Sequence, residues 1–67
     1  MWVFVQVIEG QTVHRGRFRA VGGTVELEWR GGRCVEKLGP LKPEFAAQDC
    51  LRRQVQVAQR ELRRLAG

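Results

Sequence analysis

Glycine-bearing turns at Glu9-Gly10, Gly22-Gly23 and Gly31-Gly32 cut the first half of this 67-residue chain into β-branched and aromatic runs. No other feature constrains the fold as much. Two-residue loops with Gly join neighbouring antiparallel strands, because Gly tolerates the positive φ such hairpins need. The pattern predicts four strands, near 2–8, 11–20, 24–30 and 33–38. The fourth, "RCVEKL", alternates poorly and leaves its register open. In "GPLKPE", Gly39-Pro40 ends the sheet, and Pro43 suits the first turn of a helix, where no N–H is needed. From Glu44 to Ala66 there is no Gly or Pro. Ala47, Leu51, Val55, Ala58, Leu62 and Leu65 recur at spacings of four and three, which draws one apolar stripe down a helix. Glu44 and Asp49 sit near its start and Arg60, Arg63 and Arg64 near its end, as the helix dipole favours. Gly67 reads as the stop. The expected fold is α+β: a four-stranded antiparallel meander with one C-terminal helix, about 44–66, on one face, in a single domain over 1–67.

Hairpin register assigns the faces. With Gly22-Gly23 as the loop, Ala20 faces Val25, Arg19 faces Glu26, Phe18 faces Leu27, Arg17 faces Glu28 and Gly16 faces Trp29, which can lie over it. Like meets like and charge meets counter-charge, each such pair adding a few tenths to about 1 kcal/mol. With Glu9-Gly10 as the first loop, Val7 faces Thr12, Val5 faces His14 and Val3 faces Gly16. The core face then holds Val3, Val5, Val7, Phe18, Ala20, Val25, Leu27 and Trp29. On the opposite face Trp2 falls against Arg17, Phe4 against Arg15 and Gln6 against Val13. A sheet covered on one side should be polar on the other, yet the first strand is apolar on both. Something is expected to cover Trp2, Phe4, Ile8 and Val13. A helix of this length also outruns its strands, so Leu62 and Leu65 are expected to overhang and to need a partner.

So short a chain builds a thin core and leans on a helper such as a disulfide, a metal or self-association. Cys34 and Cys50 lie far apart in sequence, and in the absence of a signal peptide they read as reduced thiols of a cytoplasmic protein, with a disulfide between them as the lesser alternative. With His14 as the sole histidine, no closed zinc site is expected, and no cofactor. Self-association, as a homodimer or with another protein, is the helper that remains. No apolar run is long enough to span a membrane.

Twelve Lys and Arg against seven Asp and Glu give a net charge of +5, which favours acidic partners without naming one. The "TVHRGRFRA" strand puts Arg15, Arg17 and Arg19 at every second position. Arg17 and Arg19 are expected to answer Glu28 and Glu26, whereas Arg15, Arg30 and Arg33 form an unmatched cluster. Arg15, Arg17, Arg30 and Arg33, with Trp2 and Phe4 as stacking platforms, make nucleic-acid binding the alternative. An enzyme is not expected. The chain has no Ser or Tyr, His14 reads as structural, Glu26 and Glu28 already have Arg partners, and neither Gly-Gly pair leads into a phosphate-binding helix. No small-molecule substrate suggests itself.

The run "GGRCVEKLGPLKPEFAAQDCLRRQV" resembles the end of three-stranded-sheet-plus-helix DNA-binding domains, the arm-binding domains of phage-type integrases and the plant AP2 type. There a "GK…LG" strand leads into an Ala-rich helix and the outer sheet face enters the major groove. This chain departs from them in its extra apolar first strand and in Glu26 and Glu28 on the face that would meet DNA. The whole chain is also similar to small uncharacterised bacterial proteins with a sheet, a Gly-Pro junction and a "PE" helix start, a likeness that implies no activity. The expectation is a non-enzymatic interaction module that self-associates through Trp2, Phe4, Ile8 and Val13 or through Leu62 and Leu65.

Overall fold

The computed structural model describes residues 1–66; the expected stop at Gly67 lies outside them. Four strands, β1 (Val3–Glu9), β2 (Thr12–Val21), β3 (Thr24–Trp29) and β4 (Gly32–Lys37), form one antiparallel sheet in chain order, and α1 (Pro43–Ala66) follows. The fold is the expected α+β meander. Pro43 opens the helix, and the Lys42 carbonyl accepts from the N–H groups of Phe45 and Ala46, both at 3.0 Å.

The β2–β3 register is the one the sequence dictates, from Gly16↔Trp29 through Ala20↔Val25. The first hairpin differs. Its loop is Gly10-Gln11 and not Glu9-Gly10, so Val7 pairs with His14, Val5 with Gly16 and Val3 with Phe18. Gly10 has φ +62°, and among the described residues none other than Gly has positive φ. A turn with Gly first needs positive φ only there, whereas a Glu9-Gly10 loop of type I′ would force it on Glu9 as well. The shift is two residues, one full strand period, so every side chain keeps its face and only its neighbours change. The third turn also differs: its loop is Arg30-Gly31 and not Gly31-Gly32, because Trp29 pairs with Gly32, and this fixes β4, with Cys34 opposite Leu27 and Glu36 opposite Val25.

The core is Val5, Val7, Phe18, Val25 and Leu27 from the sheet against Ala47, Cys50, Leu51 and Val55 from the helix. Val3 and Ala20, expected inside, are exposed. Val3 stands on the edge strand, and Ala20 lies two residues past Phe18, the last β2 residue that β1 pairs with. Gly16 is needed for close approach: a Cβ there would sit 2.9 Å from the Glu28 carbonyl oxygen. The Trp29 ring, however, lies across Gly31, where a Cβ would fall 2.4 Å from the indole, rather than over Gly16. His14 meets that ring edge-on at 6.5 Å between centroids. The Nε2 of His14 and the Nε1 of Trp29 are buried without a hydrogen-bond partner among the described residues.

At 24 residues the helix is about 36 Å long, against roughly 20–23 Å for strands of six or seven residues. Burial ends at Val55, and Leu62 and Leu65 are exposed, Leu62 in a depression it shares with Trp29, Arg30 and Gly31. Among the described residues no helix is long and apolar enough to cross a membrane.

Candidate interaction face

Strand alternation that sends Val5, Val7, Phe18 and Leu27 to the helix sends Trp2, Phe4, Gln6 and Ile8 to the open side of the sheet, beside the arginines of β2. Three of these residues are cross-linked to their neighbours. Arg17 donates from Nε (3.0 Å) and Nη2 (2.7 Å) to Oε1 of Glu28, and Arg19 donates from Nε to Oε2 of Glu26 at 2.5 Å. The Trp2 indole lies under both guanidinium groups, 4.5 Å from Arg17 and 4.7 Å from Arg19. On the far side Arg33 reaches Glu26 and Glu28 at 4.0 Å each. The face therefore carries charge in ordered rows: aromatic, arginine, glutamate, arginine. The hydrogen bond from Arg17 is the main reason the Glu28 carboxyl is held below its ordinary pKa, with the charges of Arg17, Arg33 and Arg19 assisting.

This arrangement divides the residues singled out in the sequence. Arg17 is engaged, and Arg33 leans on the same carboxylates, so the cluster of Arg15, Arg30 and Arg33 is not uniformly unmatched. Arg15 and Arg30 have no ion-pair partner among the described residues. Arg15 stands opposite Gln6, not Phe4, and Arg30 sits in the turn between β3 and β4. Trp2, expected against Arg17 alone, is half-buried between two arginines and is not a free stacking platform.

The apolar residues next to this network are uncovered. Phe4 is 85% exposed, Ile8 62% and Val13 50%. Ile8 and Val13 are cross-strand partners and Phe4 pairs with Arg17. Beside Phe4, a shallow depression of about 650 Å³ is lined by Gln6, Arg15, Arg17 and Glu28 together with Val5, Gly16 and Trp29. Leu62 and Leu65 lie on the overhanging helix, a separate surface from this one. The sequence reading missed Leu41 and Phe45, both exposed at the start of the helix. They precede the periodic stripe, and the Gly-Pro junction gave no indication of their orientation.

A second cluster joins β4 to the helix. Cys34 and Cys50, far apart in sequence and read there as reduced thiols, meet with Sγ atoms 2.9 Å from each other. With the Glu36 carboxylate they place three ligating atoms within 4.8 Å of one another. Glu36 is bound to Arg53 at 2.6 Å, and that hydrogen bond is the main cause of its lowered pKa. Burial is the main cause that pushes the Cys50 thiol far up. The missed signal was alternation: in the observed register Cys34 and Glu36 are the inward positions of β4, and both meet helix residues.

We found no family model that matches the chain, and no curated protein and no solved structure that matches it either.

Proposed function

We propose that the protein is a non-enzymatic interaction module that self-associates through β1 and the open face beside it. The observation that carries this reading is the uncovered apolar set Phe4, Ile8 and Val13 on and beside an edge strand. β1 has free backbone donors and acceptors along its outer side. From Val3 to Ile8 it carries no charge and no proline, the usual guards of a sheet edge. An antiparallel copy centred on Gln6 would set Phe4 beside Ile8 of the second copy on the open face, and Val5 beside Val7 on the helix face. The sheet would continue across a twofold axis, the commonest closed symmetry of small assemblies.

Sedimentation over a range of concentrations tests this. Association is expected to survive about 0.5 M salt, since apolar burial is not screened. Phe4→Lys is expected to weaken it at least tenfold, the equivalent of about 1.4 kcal/mol. A wild type that stays monomeric at high concentration, or an unchanged mass for the Phe4 variant, would overturn the proposal. Nucleic-acid binding is the competing reading, and the pairing of Arg17, Arg19 and Arg33 with Glu26 and Glu28 counts against it. It would be favoured by binding to generic DNA or RNA that falls steeply with added salt.

A further inference from the structure

The geometry points to Cys34 and Cys50 as a dithiol that closes reversibly to a disulfide, with a small-molecule disulfide as its oxidant. Their sulfurs are 2.9 Å apart, inside the ordinary non-bonded separation of about 3.5–4.0 Å and outside the covalent bond length of about 2.05 Å. The two residues come from different elements, β4 and α1, that pack against each other, so closure brings together groups already in contact. A metal ion fits the cluster poorly. A tetrahedral ion with sulfurs at about 2.3 Å needs them roughly 3.8 Å apart. The third donor, Glu36, is held by Arg53 at 2.6 Å, and that guanidinium repels a cation.

The two thiols are unequal, and this sets the order of steps. Cys50 is buried and Cys34 is partly accessible, so Cys34 meets the oxidant first. Its thiolate attacks one sulfur of RS–SR; a bond from Cys34 to RS forms, the RS–SR bond breaks, and the departing thiolate takes a proton. Cys50 then gives up its proton, by way of the adjacent Glu36 carboxylate to solvent, and attacks the sulfur of Cys34. The Cys34–Cys50 bond forms and the second RSH leaves. Two protein thiols have lost two electrons and RSSR has become two RSH. Burial holds Cys50 in the thiol form, so the second step quickens as pH rises.

The bond would act where the fold is thinnest. β4 contributes no fully buried residue to the core. Besides its ladder with β3, it is tied to the helix by Arg53–Glu36 and by this sulfur contact. A disulfide there staples an edge strand to α1 across the Gly39-Pro40 junction.

Treatment of the full-length wild type with oxidised glutathione, followed by non-reducing peptide mapping and thermal melting, tests the inference. The intact mass is expected to fall by two hydrogen atoms, with no glutathione retained and the Cys34 and Cys50 peptides linked. The melting temperature is expected to rise by about 10 °C or more, and a reductant should reverse both changes. Cys50→Ser is expected to hold glutathione at Cys34, because nothing remains to displace it. Two unmodified thiols, glutathione retained on the wild type, or a link between chains would each overturn the inference.

Discussion

The two edges of the sheet are built on opposite plans. β4 ends the sheet with charges: Arg33, Glu36 and Lys37 alternate with Cys34 and a single exposed valine, Val35. Its inward positions are answered by the helix, Cys34 by Cys50 and Glu36 by Arg53. β1 ends the sheet with "VFVQVI", and its first charge is Glu9, which Arg52 meets at 3.4 Å. Edge strands that must stay alone carry charge, proline or a cover. By that criterion β4 is closed and β1 is open. The two edges of one sheet thus differ in whether anything guards them, and the proposed self-association uses the unguarded one.

Four substitutions and one change of pH probe that contrast, in order of decreasing effect. Leu51→Ala removes a fully buried side chain beneath the sheet and is expected to cost about 2–5 kcal/mol. Both edges should melt together in a single transition by circular dichroism, because they share one core and differ only in what lies outside it. Separate transitions for β1 and β4 would break the comparison at its base. Phe4→Lys gives β1 the kind of guard β4 already has. Its unfolding free energy in urea should stay within about 0.5 kcal/mol of wild type, while its association weakens at least tenfold.

Smaller effects test the β4 side. Arg53→Ala breaks a partly exposed ion pair and is expected to cost about 0.5–1 kcal/mol by urea denaturation, with faster amide exchange in β4 than in β1. Acid should act in the same direction. Glu36 and Glu28 have lowered folded pKa values, because of Arg53 and Arg17 respectively. Their stabilising contribution is therefore present above the ordinary carboxylate range and is lost as pH falls through the lowered values. A melting series in decreasing pH should show this loss in wild type and less of it in Arg53→Ala. Val35→Lys, on the open side of β4, is expected to change neither stability by more than about 0.5 kcal/mol nor particle mass. Dissociation in that variant would mean that β4, too, is an association surface.

What could be read from the sequence followed from period and from turn chemistry. The four strands come from the Gly-bearing turns and the helix from its apolar stripe, while the β2–β3 register and the Arg17–Glu28 and Arg19–Glu26 pairs come from alternation around Gly22-Gly23. The first hairpin was assigned to the wrong two-residue loop, and alternation could not reveal it, since a two-residue shift preserves both faces. Turn stereochemistry could have, because Gly10 as the first loop residue spares Glu9 a positive φ. The shift decides the neighbours of Trp2 and Phe4, so the contact of Trp2 with both Arg17 and Arg19 was not legible. The meeting of Cys34 and Cys50 depends on how the helix crosses the sheet, a tertiary fact that spacing along the chain does not carry.

The contrast between the edges is tested most directly by amide hydrogen exchange, residue by residue, on dilute and concentrated protein. The outward amides of β1, between Val3 and Glu9, are expected to exchange quickly when dilute and to become protected as concentration rises. The outward amides of β4 should not change. Exchange in β1 that stays fast at every concentration, or protection that appears in β4 instead, would contradict the account.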